Sequence, residues 1–156
     1  MKVIVYLGHP AHFYLYKLSV QNWKIAGHNV VILIKKKDIL ESLLKYADFE
    51  YLNILSEGRK DSRIGIIIGL IKRIYRVFIL CLLGRPDILT GTSVENSFVG
   101  KFLGIPVINL NEDDSEVVPF YAKLSYPFAN EILNPIVCDS GKWNRKAIKY
   151  NSYQEL

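Results

Sequence analysis

Short apolar runs alternate with stretches of helical period along most of the chain, and that alternation admits few folds. Residues 2–7, 29–34, 49–55, 87–91, 107–110 and 131–134 read as six strands, apolar on both faces rather than every second residue. The spacers at 12–26, 37–46, 64–83, 94–103 and 119–126 read as helices. In the first, Phe13, Tyr16, Val20 and Trp23 recur at threes and fours, and Gly27 stops it as a C′ glycine does. Strands buried on both faces and separated by a helix each are β-α-β units. The fold class expected is α/β: a doubly wound, mostly parallel, Rossmann-like sheet with helices on both faces. A chain of 156 residues suits one such domain over its whole length. No internal repeat and no low-complexity linker interrupts it.

Composition narrows the function classes. Hydrophobic residues are 50% and charged residues 22% of the chain, which excludes a disordered segment. Two cysteines, Cys81 and Cys138, cannot make a disulfide framework, and a cytoplasmic chain is expected. The longest apolar stretch, 64–84, is broken by Lys72, Arg73 and Arg76 and is no candidate membrane span. Residues 1–78 hold 13 Lys/Arg against 6 Asp/Glu, so the positive charge sits in the first half and points to nucleic acid, an anionic membrane or a phosphorylated ligand. Nucleic acid is disfavoured, since the run Lys35–Lys37 has no stacking aromatics among it.

In a doubly wound sheet the ligand crevice lies outside the carboxyl ends of the strands, where the strand order reverses. That rule brings together the loop Gly8-His-Pro-Ala-His12, the loop Gly91-Thr-Ser-Val-Glu-Asn96 and, next along the rim, Asn111-Glu-Asp-Asp-Ser-Glu116. A dinucleotide site would need G-x-G-x-x-G in the first loop, and here Gly8 is followed by His9, Pro10 and His12. Where an acidic residue would take the ribose, Lys35, Lys36 and Lys37 stand instead, and no G-x-x-x-x-G-K-[ST] occurs. No cofactor is implied.

The segments Tyr6-Leu-Gly-His-Pro-Ala-His-Phe13, Gly27-His28-x-Val30, Arg85-Pro-Asp-Ile-Leu-Thr-Gly91, Leu103-Gly-Ile-Pro106, Asp114-Ser-Glu116, Pro127-Phe-Ala129, Asn134-Pro135 and Lys149-Tyr-Asn-Ser-Tyr-Gln-Glu155 occur in this order. Together they resemble the "domain of unknown function 354" family over essentially the whole chain. That family is similar to GT-B glycosyltransferases and non-hydrolysing UDP-N-acetylglucosamine 2-epimerases, which have two Rossmann-like domains with the active site between them. The resemblance implies the N-terminal, acceptor-side half, with the nucleotide-sugar domain absent, and so a chain inactive alone. The implied reaction is transfer of a sugar from a nucleotide sugar to an envelope or polysaccharide acceptor. The alternatives are a UDP-sugar 2-epimerase-like half, or a non-catalytic, membrane-recruiting subunit of a split enzyme. The implied partners are a nucleotide-sugar-binding domain or subunit and a glycan or lipid-linked acceptor. A place at the inner face of the plasma membrane is compatible with them.

Each candidate residue has a plain reading beside the functional one. His12 opens the first helix, and the resemblance suggests a general base on an acceptor hydroxyl or a phosphate contact; otherwise it covers a helix N-terminus. His9 is either a helix cap or a second ligand contact, and His28 reads as structural. Thr92-Ser-Val-Glu95 has the form of a capping box with Thr92 at the cap, at a helix N-terminus that suits an anion. Ser93 and Asn96 are the binding candidates there. Glu112, Asp114 and Glu116 have a spacing that suggests Mg²⁺ or Ca²⁺, but no histidine or further carboxylate cluster supports a metal. The resemblance favours Asp114 and Glu116 as contacts to acceptor hydroxyls, although Val117 stands where the family pattern often has His. On helix 64–83, Lys72, Arg73 and Arg76 occupy a narrow cationic arc beside apolar stripes, with Arg59, Lys60 and Arg63 upstream. That arc suits an anionic membrane or partner surface, or else the helix is an ordinary buried crossover.

Overall fold

The computed structural model describes residues 1–35, 38–55 and 63–152, with the side chains of residues 38 and 63 outside the description. Lys36, Lys37, Arg59, Lys60, the Arg63 side chain and the closing segment 153–155 therefore lie outside the described residues. Seven strands form one sheet: β1 (Lys2–Leu7), β2 (Asn29–Lys35), β3 (Tyr51–Leu55), β4 (Ile88–Gly91), β5 (Val107–Leu110), β6 (Glu131–Pro135) and β7 (Ala147–Tyr150). Their order is β3-β2-β1-β4-β5-β6-β7, and every pairing is parallel. The α/β, Rossmann-like class is as expected. The seventh strand is an addition, because a four-residue edge strand of pattern Ala-Ile-Lys-Tyr carries no distinctive period.

The helices are α1 (Pro10–Ile25), α2 (Asp38–Tyr46), α3 (Arg63–Gly84), α4 (Val94–Leu103) and α5 (Pro119–Ser125), and a 3-10 turn spans Gly141–Lys146. Alternation in β1 divides the core into two layers. Val3, Val5 and Leu7 pack with Phe13, Tyr16 and Val20 of α1 and Leu40 and Leu44 of α2. Ile4 and Tyr6 face the other way, toward Val77 and Cys81 of α3 and Val99 of α4. On the α1 face the cover is incomplete: beyond α1, an apolar groove of about 390 Å³ runs over the sheet, lined by Tyr16, Trp23, Ile88, Ile108, Leu133 and Tyr150 among others.

Gly91 and Gly104 each have a backbone reason. Gly91 ends β4 at φ +118°, and a Cβ there would sit 2.2 Å from the Tyr6 carbonyl oxygen of β1. Gly104 caps α4 in the left-handed region at φ 70°. The cap at the other end of α4 is Ser93, not Thr92: Ser93 Oγ accepts from the Asn96 N–H at 3.0 Å. Thr92 Oγ1 instead donates to the Leu110 carbonyl at 2.6 Å, binding the β4–α4 loop to the end of β5.

The cationic arc of α3 is not an outward surface. Arg73 is turned into the fold, where its Nε pairs with the Glu95 carboxylate. Arg76 donates to the Ile54 carbonyl at 2.6 Å, holding α3 against β3. Lys72 remains on the exposed side. The periodicity gives relative angles around the helix, whereas the docked face is chosen by Val77 and Cys81, both buried, which rotates Arg73 and Arg76 toward the sheet.

Candidate functional site

The reversal of strand order lies between β1 and β4, which pair with Tyr6 opposite Gly91. The loops after β1, β4 and β5 therefore meet at one edge of the sheet, as expected. Gly8 lies close to the Thr92 carbonyl and to the His12 ring, since a Cβ on it would be 3.6 and 3.7 Å from them. Tyr16 Oη and Thr90 Oγ1 share a buried hydrogen bond of 2.7 Å that fixes α1 to β4. Burial drives the Tyr16 phenol pKa upward, and that of Tyr6 as well, where the Glu95 carboxylate adds to the effect. Both phenols stay neutral and act as donors or packing groups.

The first loop is closed by its own imidazoles. Pro10 stands at the start of α1, where its missing N–H is no loss, and His9 is the cap. His9 Nδ1 accepts from the Ala11 N–H at 3.3 Å, so the cap alternative for His9 is realised. His12 Nδ1 accepts from the Gly8 N–H at 3.2 Å. A ring nitrogen that accepts carries no proton, so a neutral His12 holds its proton on Nε2. That arrangement opposes the base role, which would need an Nε2 lone pair and hence a proton on Nδ1, facing the Gly8 N–H. The two rings stand 6.0 Å apart.

Ser93 and Asn96 are buried in the floor of the second loop. Ser93 Oγ donates to Glu95 Oε2 at 2.9 Å, and Asn96 Nδ2 donates to the Thr90 carbonyl at 2.9 Å. Asn96 Oδ1 is buried with no hydrogen-bond partner, an acceptor with capacity to spare. Glu95, in the first turn of α4, is held by Arg73 and Ser93 together. The third loop brings Asp114 and Glu116 to the surface. Asp114 Oδ1 accepts from the Asp139 N–H at 2.6 Å, joining this loop to the one after β6, and Glu116 is exposed on the turn. Among the described residues, no three His, Cys, Asp or Glu side chains are grouped to hold a metal ion.

Several residues that shape the rim were not singled out by sequence. Asn109 and Asn111, two apart on β5 and its exit, both turn into a polar layer. Tyr121 Oη donates to Asn109 Oδ1 at 2.7 Å, and Asn111 Nδ2 donates to Tyr126 Oη at 2.9 Å. Tyr150 Oη on β7 donates to Glu112 Oε1 at 2.6 Å. The available signal was the pair of asparagines in an otherwise apolar strand, Val-Ile-Asn-Leu-Asn. Burial lifts the Tyr126 phenol to about 12, so it too stays protonated.

The profile of the family described as "Protein of unknown function (DUF354)" matches residues 1–154. Among curated proteins none matches in sequence. The fold is similar to MurG of Acinetobacter baumannii, with a TM-score of 0.66 at 14% identity over 86% of this chain and 41% of that one. It is also similar to MnaA of S. aureus, whose structure was determined with UDP: TM-score 0.73, 14% identity, 95% of this chain and 44% of that one. The UDP-GlcNAc 2-epimerase of Neisseria meningitidis, bound to UDP-GlcNAc, gives 0.72 at 16% identity over 96% and 45%. The chain thus spans less than half the length of each of these relatives.

Proposed function

The chain belongs to the DUF354 family, and on that premise we propose that it forms the acceptor-side half of a GT-B-like enzyme that moves a sugar from a nucleotide-sugar donor to a glycan or lipid-linked acceptor. The nucleotide sugar would be held by a second domain or subunit, and this half would be inactive without it. The observation that carries the reading is the β1–α1 loop. Its backbone is closed by His9 and His12, with Gly8 as its one glycine. That is unlike a loop built for close approach of a pyrophosphate. What it offers is polar side chains at a switch point, suited to positioning hydroxyl or phosphate oxygens. In this reading His12 donates through Nε2–H to an acceptor oxygen, and Asn96 Oδ1 takes a hydroxyl or a water that reaches it. Asp114 and Glu116 border the same rim as contacts to further hydroxyls.

A second reading, a 2-epimerase-like half acting on a UDP-sugar, is favoured by the overlay on the Neisseria meningitidis UDP-GlcNAc 2-epimerase, which takes in 96% of this chain against 86% for MurG. Amide spectra of the ¹⁵N-labelled chain separate the cases. Titration with UDP- and GDP-sugars is expected to leave them unchanged, while soluble oligosaccharide or short-chain polyprenyl phosphate shifts Gly8, Ala11, Ser93 and Asn111. Micromolar binding of a nucleotide sugar at these amides would assign this chain to the donor side and overturn the proposal. Silence toward every acceptor, with epimerisation of a UDP-sugar once the second domain is supplied, would select the second reading.

A further inference from the structure

We propose that the groove beside α1 is the seat of an amphipathic helix brought by the second domain or subunit, an inference that rests on the two-part reading of the enzyme. In a doubly wound sheet, handedness decides which face each connection takes. From β1 to β3 the chain steps one way along the sheet, and α1 and α2 lie on one face. From β3 to β7 it steps the other way, and α3 and α4 lie on the opposite face. α5 packs on α4, and its neighbour Tyr126 rests on Trp143 of the 3-10 turn that leads to β7. Right-handed crossovers thus carry the connections from β3 onward away from the α1 face. Among the described residues, no element covers β4 to β7 on that side.

The bare strip has the form of a helix seat. Its floor is Ile88, Ile108 and Leu133, one from each of β4, β5 and β6. Its wall is Leu15, Ser19 and Trp23, four apart and so one ridge of α1. Ser19 is the small residue of that ridge, where a second helix axis can approach to about 8–10 Å. Parallel sheets are covered on both faces, and in layered α/β folds the cover is helical. The strands β4 to β7 are four or five residues long. That is about 13–17 Å at 3.3 Å per residue, spanned by a helix of about 9–11 residues. The chain leaves the sheet at Tyr150, itself in the groove wall, and six residues follow it in this sequence. As a helix six residues reach about 9 Å, short of the strip. The structures of like fold have more than twice the length that this chain matches, so further chain of that kind is available to supply the cover. A second copy offering the exposed Ile67 and Ile71 of α3 would instead make a head-to-tail contact, which builds rings or filaments.

The test reads Trp23 in a Trp143→Phe background, since the chain has two tryptophans and Trp23 lines the groove. The probe is a helix of about 14 residues, built of Leu, Ala, Glu and Lys with one apolar face. It is joined behind Leu156 by a flexible Gly/Ser linker, which holds it at an effective concentration in the millimolar range. Acrylamide quenching of Trp23 is expected to fall at least threefold, and the melting temperature to rise, relative to the same residues in an order with no apolar face. Ser19→Arg should restore quenching in the fusion while leaving the melting temperature of the untethered chain unchanged, because Ser19 is partly exposed. Equal quenching with the two orders, or protection that Ser19→Arg leaves intact, would overturn the proposal. So would an oligomer of the parent, seen by light scattering, in which Trp23 is already shielded and which Ile67→Asn/Ile71→Asn dissociates. Shielding by dodecyl maltoside monomers but not by the helix would make the groove a hydrocarbon site instead. No sugar or nucleotide is present, so failure here leaves the sugar-transfer reading to the titrations above.

Discussion

Replacing Arg73 with Met should be among the most damaging single changes in the protein outside its central strands. Arg73 and Glu95 are 13% and 5% exposed at the side chain, and the change leaves the carboxylate buried without its cation. Breaking a buried pair from one side costs about 3–5 kcal/mol. Two local features reduce that here. Ser93 Oγ still donates to Oε2, and Glu95 lies in the first turn of α4, where the helix dipole favours an anion by about 0.3–1 kcal/mol. The expected loss is therefore about 2–4 kcal/mol, or roughly 5–15 °C in melting temperature for a domain of this size. Arg73→Met/Glu95→Gln should lose less than Arg73→Met alone, because no uncompensated charge remains. Urea unfolding of the parent, both single variants and the double variant gives the coupling energy directly. A loss below about 1 kcal/mol in Arg73→Met, or a coupling within error of zero, would refute the account of Glu95 as a carboxylate dependent on Arg73.

Two other outcomes are expected. In the complete two-domain enzyme, His12→Ala should lower turnover by roughly 10²-fold, the cost of an acceptor oxygen no longer held in place, and His12→Gln should recover part of it. Equal loss in both, together with loss of the acidic limb of the pH–rate profile, would instead assign His12 as a base. Burial pushes the Cys81 thiol up to about 11, above its unfolded value, so the stability it contributes is fully present below about pH 9 and is lost as pH rises toward 11. Urea midpoints from pH 8 to 11 should fall more steeply for the parent than for Cys81→Ala, the difference reaching at most about 1.4 kcal/mol per pH unit. Parallel slopes would remove Cys81 from the alkaline transition.

Six of the seven strands were legible because parallel strands buried on both faces show as apolar runs, and their order followed from the usual doubly wound topology. β7 was not, since Ile148 and Lys149 on that edge are exposed and its pattern merges with the polar tail. The cap of α4 was misplaced by one residue because Thr92 and Ser93 are chemically equivalent as caps. What separates them is the Leu110 carbonyl, 18 positions away, that takes Thr92. Arg73 read as a surface cation for the same kind of reason: its partner is 22 positions distant on another helix. The rim loops could be brought together by topology alone, whereas the direction of each hydrogen bond at His9 and His12 depends on backbone geometry within a single turn. Residue types name the candidates there without assigning donor and acceptor.

The position of β1 inside the sheet, between β2 and β4, also sets an order of events for a chain leaving the ribosome. β1 is made first and gains β2 on one side within a few dozen residues, but its other neighbour, β4, pairs Val3 with Ile88. Translation at 5–20 residues per second leaves a delay on the order of 3–10 s between completion of β2 and completion of β4. Through that interval the β1 edge lies open, and the isoleucine-rich stretch that becomes α3 emerges before the strands that α3 and α4 cover are complete. Contacts this distant in sequence form slowly in any case. The half-made chain is thus the state most exposed to strand-edge association, and its hazard is fixed by topology rather than by the stability of the finished fold.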